Sequence, residues 1–137
     1  PEEEGSLVQS ARRHGLDLIY LAAPTTTDER LQTIGNATSG YLYYVSLKGI
    51  TGSSKLDTHE VSQRIAHMRQ HVSVPICVGF GIRTAEDAAA ISTTADGSII
   101  GTVLVSQIEA LANRPEQIPT ALKAILQPMR KAMDAKV

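Results

Sequence analysis

The 137-residue sequence holds a single cysteine, Cys77, so it can form no internal disulfide and no thiolate metal cluster. Neither sign of charge is in excess: thirteen Lys and Arg against fourteen Asp and Glu leave a net charge of -1. Such a chain presents no basic field for nucleic acid or an anionic membrane. No apolar run is long enough to span a bilayer, and no Pro-, Gly- and Ser-rich stretch marks a linker. The start is also bare. Pro1-Glu2-Glu3-Glu4 has neither an initiating Met nor the basic flank and apolar stretch of a signal peptide, so these residues are expected to belong to a longer chain. What is present, 42% hydrophobic and 20% charged residues, is the make-up of an ordinary globular domain. Such a domain is expected to be cytoplasmic and to act on a small molecule.

Short β-branched and apolar segments alternate with helical patterns. Asp17–Ala22, Gly40–Ser46, Val74–Gly79 and Asp96–Gly101 read as strands, each with the nearly continuous apolar run of a strand buried on both faces. Helices are expected over Glu2–Arg13, stopped at Gly15, and from Thr27-Asp28-Glu29, where acids occupy the first turn. Asp57-Thr58-His59-Glu60 opens another in capping-box fashion, and Thr84-Ala85-Glu86-Asp87 opens the next. A short helix follows over Val103–Leu111 and a longer one over Glu116–Asp134, which Pro128 is expected to kink or break. Repeated βα units imply parallel strands. Two architectures fit: an open doubly wound sheet, or part of a (β/α)8 barrel, which needs eight strands and about 250 residues. Four strands would make half of one.

In either architecture ligands bind beyond the C-terminal ends of the strands. Those ends here are Ala23-Pro24-Thr25-Thr26-Thr27, Ser46-Leu47-Lys48-Gly49-Ile50-Thr51-Gly52-Ser53, Gly79-Phe80-Gly81-Ile82 and Gly101-Thr102. A glycine at one strand end need only serve a tight turn. Gly81 and Gly101 at consecutive ends, with a short helix opening directly after Gly101-Thr102, have the layout of a barrel phosphate site. No carboxylate falls at a strand's C-terminal end. Asp17 and Asp96 stand at strand starts, and nearly all the others fall in helices. His14, His59, His67 and His71 lie on helices or helix ends and read as solvated surface residues, and Cys77 reads as a small buried hydrophobe. Only Tyr43 and Thr51 are reactive-looking side chains near the rim, and a buried tyrosine is more often core than catalyst.

Three segments together resemble the C-terminal half of the tryptophan synthase alpha chain family: Tyr41-Leu42-Tyr43-Tyr44-Val45-Ser46-Leu47-Lys48-Gly49-Ile50-Thr51-Gly52, Pro75-Ile76-Cys77-Val78-Gly79-Phe80-Gly81-Ile82, and Ala95-Asp96-Gly97-Ser98-Ile99-Ile100-Gly101-Thr102. The opening Pro1-Glu2-Glu3 is similar to the segment just past that family's fourth strand. The resemblance implies that residues 1–137 are one partial domain, strands five to eight of a (β/α)8 barrel, with the N-terminal half missing. It implies a lyase of tryptophan biosynthesis that cleaves indole-3-glycerol phosphate to indole and glyceraldehyde 3-phosphate. The family needs no cofactor of its own and hands indole to a PLP-dependent beta chain in an α2β2 complex. By the same correspondence Gly52, Gly81, Gly101 and Thr102 would bind the substrate phosphate, Thr102 standing where Ser is common. Tyr43 and Phe80 would line the substrate pocket, and Thr51 would help order the catalytic carboxylate when its loop closes. The family's catalytic Glu, and the Asp that orients the indole nitrogen, belong to its second and third strand region. These residues alone are therefore expected to be inactive, and to self-associate or to pair with the missing half.

Two other readings stand beside this one. Another phosphate-binding barrel, such as an indole-glycerol-phosphate synthase or a histidine-pathway enzyme, would share the strand-end glycines but should not carry Tyr-x-Tyr followed by Gly-Ile-Thr-Gly. A non-catalytic half-barrel module for assembly or phosphate binding is the third.

Overall fold

A computed structural model describes residues 1, 5–46, 58–79 and 81–135. Helix and strand alternate through α1 (Gly5–Arg13), β1 (Leu21–Ala22), α2 (Asp28–Ala37), β2 (Leu42–Val45), α3 (Thr58–Met68), β3 (Ile76–Gly79), α4 (Ala85–Ile91), β4 (Gly97–Ser98), α5 (Thr102–Ala110) and α6 (Ile118–Asp134). A single 3-10 turn, Pro115–Gln117, precedes α6. The four strands form one sheet in the order β1-β2-β3-β4, every neighbouring pair parallel. None of the helices among the described residues is long and apolar enough to cross a membrane.

The elements begin and end where local chemistry dictates. The Thr27 hydroxyl accepts from the Arg30 amide, and Asp28 and Glu29 fill the first turn of α2. Thr84 and Asp87 exchange reciprocal bonds of 3.1 and 3.0 Å, a complete capping box for α4. Gly15, at a φ of +67°, ends α1: its amide reaches Arg12 and that of Leu16 reaches the Ala11 carbonyl, the paired bonds of a Schellman stop. The helix opening at Asp57 lies outside the described residues.

The outer strands are shorter than their apolar runs suggest. β1 and β4 each have one partner, so regular pairing covers two residues rather than six. The flanking backbone is still tied in, with Tyr43 N–H donating to Tyr20 O at 2.9 Å and Ile99 N–H to Val78 O at 2.8 Å. The last helix runs unbroken through Pro128. Pro128 and Ala124 both lie on its exposed side, so the carbonyl that the proline cannot serve is open to water, while Met129 anchors the buried side.

Alternation along the strands divides the sheet into two unlike faces. Leu42 and Tyr44 of β2, with Ile76 and Val78 of β3, join Leu31 and Ile34 of α2, Val61, Ile65 and Met68 of α3, Ala88 and Ile91 of α4, and Met129 of α6 in one buried core. The other face carries Leu21, Tyr43, Val45, Cys77 and Gly97, with Leu21 57% exposed. At the N-terminal edge, Asp96 braces β3 against β4: its Oδ2 accepts from the Ile76 amide at 2.8 Å and from Arg69 Nη2 at 2.9 Å.

Three substitutions should rank by mechanism in urea denaturation. Ile76→Ala opens a cavity at a fully buried site and should cost about 2–5 kcal/mol. Asp96→Ala leaves the Ile76 amide, buried at the sheet edge, unpaired and should cost about 1–3 kcal/mol. Thr84→Ala removes a cap worth about 1 kcal/mol.

Candidate functional site

Parallel strands bring all four C-terminal ends to one rim. After β1 the chain turns at once, the Thr26 amide donating to Ala23 O and the Thr26 hydroxyl accepting from the Ala23 amide, both at 2.9 Å. After β2 the described chain ends at the buried Ser46. Thr51 and Gly52 of the following loop, and Phe80 after β3, lie outside the described residues. The rim as described therefore consists of the β1 turn, Gly79, Gly81 and Gly101-Thr102.

Gly81 holds a φ of +61°, a left-handed conformation that favours glycine, and a Cβ built there meets nothing within 4 Å. Gly101, at the end of the neighbouring strand, also faces open space. It is the N-cap of α5, its carbonyl accepts the Leu104 and Val105 amides, and it offers no side-chain cap. The Thr102 and Val103 amides thus lie ahead of the first intrahelical bond, at the positive end of a nine-residue helix. The first turns of α2, α3 and α4 all hold acids, and that of α5 holds none. Thr102 is exposed and adds a hydroxyl beside these amides.

Tyr43 lies on the open face behind this rim. Its ring crosses β3 over Gly79, where an added Cβ would land on the ring atoms, so only glycine admits the tyrosine in this position. A Cβ at Gly97 would likewise fall 2.8 Å from Cys77 Sγ. Two glycines therefore make room for the two larger side chains of one layer. Tyr43 is half-buried, and its neighbours on the open face are apolar or small.

Four acids of the described residues are engaged in contacts of their own. Asp87 caps α4, Asp96 braces the opposite edge, Asp28 pairs with His67, and Asp134 with Arg130. A cleft of about 260 Å³ lies on the helix side, lined by Pro24, Tyr44, Glu60, Gln63, Arg64 and His67, away from the rim glycines. His67 and His71, read from sequence as solvated, are only partly exposed and face Asp28. Their i, i+4 spacing was the available signal, because it stacks two side chains on one helix side.

A one-sided parallel βα sheet with an anion-ready rim defines a class, the βα-repeat proteins that hold ligands beyond their strand ends. The family model described as "Tryptophan synthase alpha chain" matches residues 1–134, and the chain belongs to that family. It is 48% identical over 135 residues to the tryptophan synthase alpha chain of Nitrosococcus oceani and 50% identical over 135 residues to that of Methylococcus capsulatus. These matches take in 98% of this chain but 50% and 51% of those relatives, so the chain spans about half their length. Among solved structures, tryptophan synthase subunit alpha from Legionella pneumophila superposes with a TM-score of 0.82 at 36% identity, over 98% of this chain and 49% of that one. Tryptophan synthase from M. tuberculosis superposes with a TM-score of 0.77 at 27% identity, over 97% and 47%.

The Cys77 thiol is pushed above its ordinary 9.0 by burial and by the nearby Asp96 charge. It should therefore be a poor nucleophile: at pH 8 iodoacetamide should label it more slowly in the folded chain than in urea. The neutral thiol is favoured by the fold, so the unfolded chain loses its proton first. Stability should then decline as pH rises through and above 9.0, and Cys77→Ala should remove that part of the decline.

Proposed function

We propose that residues 1–137 are a partial domain, strands five to eight of a (β/α)8 barrel. Three features support this reading: consecutive parallel strand order, a helix layer on one side with an open face on the other, and coverage of about half of each relative. A doubly wound sheet would reverse its strand order at a switch point and be covered on both faces, and β1 to β4 run in simple succession. In a closed barrel the open face, with Tyr43 and Cys77, becomes the packed interior.

The parent protein is then a cytoplasmic lyase of tryptophan biosynthesis that cleaves indole-3-glycerol phosphate to indole and glyceraldehyde 3-phosphate. It acts beside a PLP-dependent beta chain in an α2β2 assembly and needs no cofactor of its own. The observation that carries this reading is the paired opening at Gly81 and Gly101. Their amides, with those of Thr102 and Val103, can receive three phosphate oxygens at a helix N-terminus without a basic side chain. Gly52 would complete this cradle. Tyr43 and Phe80 would wall the indole ring, and Thr51 would help order a catalytic carboxylate. That carboxylate, and the one that orients the indole nitrogen, would be supplied by the strands outside these residues. The reaction needs a proton moved at the indole ring and another taken from the glycerol hydroxyl, and Asp28, Asp87, Asp96 and Asp134 are each engaged in other contacts.

Two outcomes follow. Residues 1–137 on their own should release no indole from indole-3-glycerol phosphate, and turnover by a pure sample of this intact mass would overturn the reading. In the full-length enzyme, Gly101→Asp should weaken glycerol phosphate binding by more than about tenfold, because its carboxylate competes for the same amides and repels the anion. The fold has room for that side chain, so the melting temperature should hold or rise. Unchanged phosphate affinity in a folded Gly101→Asp variant would overturn the phosphate assignment.

A further inference from the structure

A second cluster of side chains lies outside the sheet, where α2 meets the end of α3. His67 occupies the last turn of α3 and His71 the turn that follows, with the Arg69 and Val72 amides still bonded to carbonyls four residues back. The two imidazoles sit four residues apart on one side of this helix end, centroids 5.2 Å apart and planes inclined by 59°. Asp28, from the first turn of α2, reaches across to place Oδ1 2.7 Å from His67 Nε2. One donor atom from each of the three residues lies within 4.8 Å of the other two.

The backbone around the cluster is held from both sides. Thr27 caps α2 one residue before Asp28, and Arg64 Nη2 donates to the Thr26 carbonyl at 2.5 Å. At the other end, Gly35 packs so close to the His71 carbonyl that a Cβ there would collide with it. The two helices are thus pinned at two points, with the donor set between them.

We propose that Asp28, His67 and His71 form a binding site for a zinc-class divalent cation, with the remaining coordination position open to water. Two imidazoles and one carboxylate are a donor set that suits a borderline-soft ion. Tetrahedral bonds of about 2.0–2.2 Å set donors about 3.3 Å apart, so the three donors, now within 4.8 Å of one another, need to draw in by little more than an ångström. The Arg64 charge opposes a cation and keeps the affinity modest. A bound ion would clamp the start of α2 to the end of α3, stabilising the shell according to metal concentration.

Isothermal titration of the full chain with zinc chloride should show one saturable site, and Co2+ in place of zinc should give visible d–d absorption. His71→Ala should lower zinc affinity by at least about tenfold, since loss of even an outer-shell partner costs that much, and Asp28→Asn should also weaken it. His14→Ala, on the exposed end of α1, should leave it unchanged. His71 makes no hydrogen bond to Asp28 among those described, so His71→Ala tests the metal role without removing the Asp28–His67 contact. A folded wild-type chain with no saturable zinc binding below about 1 mM, or an affinity unchanged in His71→Ala, would overturn the site. A zinc affinity that depends on Cys77 instead would overturn it too.

Discussion

The pairing of β2 with β3 is the constraint from which the rest of the molecule follows. Its register, Leu42 with Ile76 through Val45 with Gly79, decides which side chains enter the helix layer and which face the opposite side. A slip by one residue would exchange the two sets, sending Tyr43 and Cys77 into the helix layer and stranding Leu42, Tyr44, Ile76 and Val78. At this register the Tyr43 ring crosses β3 over Gly79, where an added Cβ would meet it.

Once that register is set, the described part of the rim is built from a tight turn and glycines. Parallel strands deliver every βα connection to one edge, and at two neighbouring connections a glycine faces open space. The helices that begin at this edge divide into two kinds. Three carry acids in their first turns and so neutralise their own dipoles, whereas α5 begins at a glycine and carries no acid there. Under the proposed function this separates labour by position: these strands hold the anionic end of the substrate, and proton transfer belongs to strands beyond them.

The outer shell has its own set of contacts. Arg69 meets Asp96 at the sheet edge, Arg64 meets the β1 turn, and Asp28 meets His67 between helices. Exposed pairs of this kind contribute little individually, and their effect is to orient one helix against the next. The proposed cation site is one such junction, in which the same donor atoms that align α2 and α3 can also take up a metal.

The alternation of helix and strand, the caps at Thr27 and Thr84, the stop at Gly15 and the glycine-bearing strand ends were all legible in the sequence, because each rests on interactions within a few residues. So was the family, because Tyr-x-Tyr and the strand-end glycines keep a spacing that local structure alone does not require. Strand lengths at the sheet edges were not legible, since pairing depends on a neighbour and β1 and β4 have only one each. Nor was the continuity of α6 through Pro128, where exposure of the Ala124 carbonyl to water and the Met129 anchor outweigh the missing amide. The tertiary structure alone decided that Tyr43 lies over Gly79 and that Asp28 meets His67, because those contacts join residues 36 and 39 positions apart. No local pattern carries a distance that only the packing of separate βα units can fix.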